Sequence, residues 1–458
     1  MKEDQPIQAH EALTGEESPV AATSSDESRL KGIVRALRYP NYRLFFGGQL
    51  ISLIGTWMQS VAESWLIYRL TGSSVLLGMV GFAGQIPVFL LAPIGGIVAD
   101  RFNRRSIIIV TQICSMILAL AYAAITLLGV VQVWHIFVLA ALLGIVNAFD
   151  IPARQSFVVE MVGKEDLINA IALNSSMFNG ARIVGPAVAG ILVAMVGEGW
   201  CFLINGTSYI AVIAGLLMMK FIPRERARTT ATPLDNIIEG FRFVWQTRPI
   251  RALMILLGAT SLVAMPYAVL MPVYVDKILK GGASDLGLLM GASGVGALLG
   301  ALMLAARRGV KGLGNWLVYG TAVFGISIIL FAMSREFWAA ALSLVPAGFA
   351  MMVAMASSNT LVQVMVPDNL RGRVMAVYSM MFMGMAPLGA LLAGVLANHL
   401  GAPATIAIGG TAAVVGALIF KIYLPGLRGE ARQLIVAQGM VGGNPPEKIG
   451  GQEVTAQV

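Results

Sequence analysis

Twelve times along this chain a run of about twenty apolar residues, the length that crosses a bilayer as a helix, is followed by a polar break. The runs fall near residues 44–68, 75–98, 106–129, 133–155, 168–195, 200–221, 252–275, 285–305, 315–333, 336–360, 373–397 and 402–424. In hydrocarbon no water can satisfy backbone N–H and C=O groups, so such segments must be helices that bond internally. The rest of the composition agrees: 57% of the residues are hydrophobic and 12% are charged, against about a quarter charged in soluble domains. That charge cannot cover a water-facing surface of this size. A soluble enzyme, a collagen-like chain and an intrinsically disordered one are excluded, and the fold class is all-α integral membrane with twelve transmembrane helices.

Charge placement sets the expected orientation. Residues 1–30 hold seven acids and two bases, a polar opening that reads as a disordered cytosolic tail. Elsewhere the bases cluster between apolar runs, which points to membrane topology and away from nucleic acid. With the N-terminus in the cytosol, only Arg69, Lys277, Lys280 and Arg335 fall outside, and Arg182 lies within a span. The reverse orientation puts nearly every base on the wrong side, so both termini are expected in the cytosol.

Three landmarks recur in order. Leu167, before span five, is matched by Leu370 before span eleven, 203 positions later. Pro40 and Arg43 before span one are echoed by Pro249 and Arg251 before span seven, and Asp100-Arg101 after span two by Arg307-Arg308 after span eight. Two pseudo-symmetric six-helix halves with a cavity between them follow. The expected divisions are a disordered cytosolic tail 1–38, an N-terminal half 39–221, a cytosolic linker 222–250, a C-terminal half 251–425 and a cytosolic tail 426–458.

The loop between spans two and three reads Gly96-Ile-Val-Ala-Asp100-Arg101-Phe-Asn-Arg104-Arg105. Positive-inside anchoring explains its arginines but neither Gly96, which permits close helix approach, nor Asp100, which can pair with a base. Here the chain resembles the major facilitator superfamily, from about Tyr39 to Leu424, and the resemblance implies that the loop is a gate latch formed when the cavity faces outward. Asn147-Ala-Phe-Asp150-Ile-Pro152-Ala-Arg154, the stretch from Asn169 to Pro186, and Tyr39-Pro-Asn-Tyr-Arg-Leu-Phe45 are similar to the bacterial drug-exporter and enterobactin-exporter branch, also called transmembrane secretion effectors. Gly185-Pro186 with Gly190 resembles the fifth-helix motif that the superfamily associates with antiport, in abbreviated spacing. The resemblance implies a bacterial inner membrane.

Ionisable groups at membrane depth cost on the order of 3 kcal/mol each at a helix centre and need a partner or a task. Glu63 lies in the outer part of span one and shares a face with Gln59, four residues earlier. Arg182 lies near the middle of span five, and Asp150 near the cytosolic end of span four. Glu63–Arg182 and Asp150–Arg182 are both open as pairs, and Asp150 with Arg154 reads as a loop-facing pair near the inner gate. Glu63 has two readings, a carboxyl group that exchanges its proton with substrate or Arg182, and a structural ion pair. Gln59, Asn147, Asn174, Asn179, Met355 and Met381 are candidates to line the cavity, where methionine suits large apolar ligands.

No metal-ligand spacing, phosphate loop or catalytic pair is present, so no cofactor, metal or enzymatic activity is expected. The sequence predicts a monomeric secondary exporter of amphipathic or apolar small molecules, drug or siderophore-like, working by proton antiport and rocker-switch alternating access. The alternatives are an importer or lipid flippase of the same fold, or a non-transporting membrane partner of a secretion system.

Overall fold

The computed structural model describes residues 35–163, 166–220, 233–305, 307, 312–438, 448–449 and 452–453. The acidic tail before residue 35, residues 221–232 of the expected linker and most of the chain after 438 lie outside the described residues. The chain runs through α1 (Pro40–Thr71), α2 (Ser74–Arg101), α3 (Arg104–Leu127), α4 (Val133–Val162), α5 (Leu167–Val196) and α6 (Glu198–Met218). It continues through α7 (Pro233–Gln246), α8 (Arg248–Ala259), α9 (Ala283–Ala305), α10 (Leu313–Met333), α11 (Phe337–Met365), α12 (Asp368–Met383), α13 (Met385–Leu400) and α14 (Ala402–Ala437). The strands among the described residues are one two-residue antiparallel pair, Lys448–Ile449 with Gln452–Glu453.

Eleven segments among the described residues are long and apolar enough to cross a membrane. The expected twelfth, α1, is long enough at 32 residues, but Gln49, Gln59 and Glu63 with several serines make it too polar to count among the eleven. Two expected spans are broken. Span seven leaves α-geometry after Ala259, passing through a π segment at Thr260–Ala264 and a 3-10 segment at Met265–Ala268. Pro266 and Pro272 lack an N–H and their rings crowd the preceding turn, which favours a break here, although Pro87, Pro93, Pro152, Pro186 and Pro346 sit inside helices that stay continuous. Span eleven breaks at Gly384, where a Cβ would stand 2.3 Å from the Phe89 ring.

Boundaries also move. The last helix continues to Ala437, beyond the expected end at 425, α7 lies inside the expected linker, and a 3-10 turn at Arg35–Arg38 closes the expected tail.

The two halves repeat one pattern of helix packing. Contacts of α2 with α4, of α3 with α4, and of α3 with α6 are matched by α9 with α11, α10 with α11, and α10 with α14. Between halves the main contacts are α5 with α9 and α2 with α13, again a symmetric pair.

The apolar core shows where the halves meet. One buried cluster draws on both halves, joining Met58, Leu66 and Phe202 to Tyr274, Phe331 and Ala393. The others stay within single halves: Tyr42, Phe157 and Leu216 in the first, and Ile250, Val374 and Leu424 in the second. The halves therefore close at the end that carries the α1–α2 and α5–α6 turns and separate at the end that carries the α2–α3 loop.

Candidate functional site

At the closed end the helices touch backbone to backbone because glycine removes the side chain. A Cβ on Gly287 of α9 would lie 2.3 Å from the Pro186 carbonyl oxygen of α5, and one on Gly78 of α2 would lie 2.4 Å from the Ala390 carbonyl oxygen of α13. Gly190 packs on Ala283 and Gly287, while Gly185 packs on α1 at Trp57. The fifth-helix residues Gly185, Pro186 and Gly190 thus form a three-way junction of α1, α5 and α9. Polar contacts add to the closure: the Tyr68 hydroxyl donates to Asp276 at 2.8 Å and the Ser74 hydroxyl to the Gly394 carbonyl at 3.0 Å. Beside them Arg69 donates twice to Glu198, at 2.7 and 3.1 Å. Apart from Arg69, placed outside by its charge, the sequence reading assigned these residues no part in the closure, although Glu198 and Asp276 at span ends were a visible signal.

At the separated end, the α2–α3 loop is built inside the first half. Asn103 caps α3 by accepting from the Ser106 N–H. Arg104 donates to Glu160 at 2.9 Å and to the Ala99 carbonyl at 3.1 Å, while Arg105 donates to the Leu216 and Leu217 carbonyls at the end of α6. Asp100 is 63% exposed, and its ion pair with Arg104 spans 3.4 Å within one turn; Arg101 is exposed. Gly96 does not serve the expected close approach. A Cβ there would meet nothing within 4 Å, whereas one on Gly95 would lie 2.0 Å from the Ala148 carbonyl of α4. The contact belongs one residue earlier because neighbouring helix positions point about 100° apart.

Neither pairing open to Arg182 forms. Asp150 is buried, accepts from the Thr111 hydroxyl at 2.7 Å and from Gln112 at 3.1 Å, and forms an ion pair with Arg154. It is an ion pair within α4 that is tied to α3 through Thr111 and Gln112, and not a loop-facing one. Glu63 faces the Tyr122 hydroxyl of α3, at a geometry short of a hydrogen bond, and no cationic side chain among the described residues pairs with it. The Arg182 guanidinium lies 5.8 Å from the centre of the Trp57 ring. Trp57 and Glu63 are six residues apart, about 240° around α1, so one helix holds the two groups on different sides.

Because Asp150 is the acceptor for three donors, Asp150→Asn should destabilise the protein by about 2–4 kcal/mol, near the range for breaking a buried pair. A thermal melt in detergent reads this as a lower midpoint. Asp150→Asn with Arg154→Gln should recover part of the loss, and an unchanged midpoint in the single variant would show that the pair adds no stability.

The cavity candidates separate by environment. Gln59 is buried and accepts from Asn205 of α6 at 2.6 Å, and Asn179 is buried and donates to the Ser175 carbonyl of its own helix. Both are occupied inside the first half. Asn147 is partly buried, and Asn174 is exposed on α5. Met355, with Met351, Phe382, Thr260 and Ser358, lines a cavity of about 30 Å³ inside the second half, room for one or two waters and too small for an amphipathic substrate. Met381 packs near Gly258 of α8. Among the described residues no cluster of His, Cys, Asp and Glu could hold a metal.

A second ionic knot ties the start of α1 to the start of α5. Asp166, only 2% exposed, pairs with Arg35 at 2.9 Å and Arg38 at 2.7 Å, and accepts from the Tyr39 hydroxyl at 2.8 Å. Hydrogen bonding to Tyr39, with the Asp166 charge, raises the Arg38 pKa above its usual value, so the guanidinium keeps its charge. Asp166→Ala should free the Arg35–Arg38 turn and speed tryptic cleavage there severalfold. An unchanged cleavage rate would show that the turn is held by the apolar contacts of Ala36 and Tyr42 instead.

Comparison with known proteins places these features. The family model described as "Transmembrane secretion effector" matches residues 33–439. The chain is 25% identical over 383 residues to the staphyloferrin A transporter of Staphylococcus aureus, covering 82% of this chain and 95% of that one. It is 27% identical over 384 residues to the multidrug efflux pump Tap of Mycolicibacterium fortuitum, covering 82% and 93%. It is also 24% identical over 395 residues to the enterobactin exporter EntS of Shigella boydii, covering 84% and 91%. Among solved structures, the nucleoside transporter NupG superposes with a TM-score of 0.65 at 16% identity, covering 85% of this chain and 99% of that one. A bacterial homologue of the human lysosomal transporter Spinster, inward-facing and unoccupied, gives 0.63 at 15%, covering 87% and 97%. These last two share the fold.

Proposed function

For a chain that belongs to the transmembrane secretion effector family of major facilitator transporters, we propose a secondary active exporter of amphipathic or apolar small molecules. It is a multi-pass membrane protein with efflux relatives; direction, coupling and orientation are our reading. In that reading α1 is the first of twelve spans, both termini are cytosolic, the membrane is a bacterial inner membrane, and the unit is a monomer of two six-helix halves.

The observation that carries the reading is the asymmetry of the seam. The halves share one apolar core at the end of the α1–α2 turn and have separate cores at the other, and this supports reading the structure as one extreme of a rocker switch, open to the cytosol. The Asp100 latch is then disengaged, in keeping with its exposure. Glu63 is the coupling carboxyl: it lies within a span, faces the Tyr122 hydroxyl and has no counter-ion among the described residues, and a group at that depth without one needs a task.

Everted membrane vesicles containing the protein, offered a panel of neutral, cationic and anionic amphipaths, test the reading. Uptake of panel compounds should rise with an acid vesicle interior and collapse with a protonophore. No compound-dependent proton movement would exclude antiport, and accumulation in right-side-out vesicles would favour import.

A further inference from the structure

Arg182 is the sixteenth of the thirty residues of α5, so its charge sits midway through the membrane. Among the described residues it forms no ion pair. Both acids that could neutralise it are engaged on other faces, Asp150 with Arg154 and Glu63 towards Tyr122. Its surroundings come from both halves. Trp57 of α1 presents its ring to the guanidinium, Phe178, 46% exposed, stands edge-on to Trp57 at 5.7 Å, and Gly294 of α9 packs on the Arg182 backbone. Tyr267, in the broken seventh span, lies within electrostatic reach and has its hydroxyl 3.3 Å from Ser293. A cation is therefore held at the seam, next to aromatic faces, with no anion supplied by the described residues. A guanidinium at this depth is costly without a counter-charge, and its planar fork matches a carboxylate in two-point hydrogen bonding.

Taking the space between the halves as the substrate compartment, as the exporter reading does, we propose that Arg182 is the anchor for an organic anion. The ligand carries a carboxylate for the guanidinium and an aromatic or apolar body for Trp57 and Phe178. The ion pair completes only when the ligand is present, and the stacked tryptophan holds the empty guanidinium in place by its π face.

Binding to the purified protein in lipid nanodiscs, followed by tryptophan fluorescence and calorimetry, tests this with three probes of one shape: 1-naphthoate, 1-naphthalenemethanol and 1-naphthylmethylammonium. Wild-type protein should bind naphthoate at least tenfold more tightly than the neutral alcohol, and the ammonium probe most weakly. Arg182→Gln should bring the naphthoate-to-alcohol ratio close to one, and Arg182→Lys, which keeps the charge but not the fork, should retain a smaller preference. Equal affinity for naphthoate and the alcohol in the wild type would overturn the proposal, as would a preference that survives Arg182→Gln. Because binding needs no gradient, it separates this proposal from export: vesicles that fail to accumulate any probe would sink the exporter reading and leave the binding preference to stand or fall alone.

Discussion

Gly287→Val should shift the protein out of its closed-end conformation and reduce transport by about an order of magnitude or more. The position for a Cβ on residue 287 lies 2.3 Å from the Pro186 carbonyl oxygen and 2.9 Å from the Gly190 Cα. Both obstacles are backbone, so neither can rotate away, and α5 and α9 have to move apart. Overpacking of this kind costs roughly 1–3 kcal/mol, and every 1.4 kcal/mol is a tenfold change in an equilibrium. The closed population should therefore fall by between about fivefold and a hundredfold. Spin labels at Thr71→Cys and Gly282→Cys, flanking the closed end in a background without Cys114 and Cys201, report this as growth of a longer distance at the expense of a shorter one. The conformation in which the halves part at this end loses nothing, because the clash exists only where α5 meets α9. An unchanged distance distribution with undiminished transport would show that the glycine contact does not hold the gate.

The relation between sequence and structure differs by level. Span positions were legible because hydrophobicity is read directly from residue type, and the symmetric packing of α2–α4 and α9–α11 follows the repeat marked by Leu167 and Leu370. What was not legible is register around the helix axis. Gly95 and Gly96 are adjacent and chemically identical, yet one meets Ala148 and the other meets nothing; only the azimuth of α2 against α4 separates them. The same limit hid the separation of Glu63 from Arg182. Both were identified as buried charges in neighbouring helices, but their pairing depended on which side of α1 each faces. The α1 helix itself shows a second limit. Its glutamines and Glu63 make it too polar for the apolarity that marks the other spans, and Gln59 tolerates that depth through Asn205 of α6, 146 positions away.

Glu63→Gln should abolish the response of efflux to a pH gradient and leave the protein folded. The amide has nearly the shape of the carboxylic acid, keeps a polar group facing the Tyr122 hydroxyl, and lacks the ability to release or take up a proton at physiological pH. A purely structural role for Glu63 is therefore expected to survive the change, whereas a proton-exchange role is not. In everted vesicles, gradient-driven accumulation of a transported probe should drop to the level of vesicles without the protein, while downhill equilibration of the same probe continues. The melting midpoint in detergent should move little, because no ion pair is broken, in contrast to the loss expected for Asp150→Asn. Tyr122→Phe gives the complementary control: it removes the hydroxyl that faces Glu63 but keeps the exchangeable carboxyl group, so gradient-driven accumulation should weaken without vanishing. Full proton-coupled efflux from Glu63→Gln would take the coupling role away from α1. With Asp150 bound to Arg154, it would leave the separated end of the seam, where Asp100 is exposed, as the next place to look for the proton.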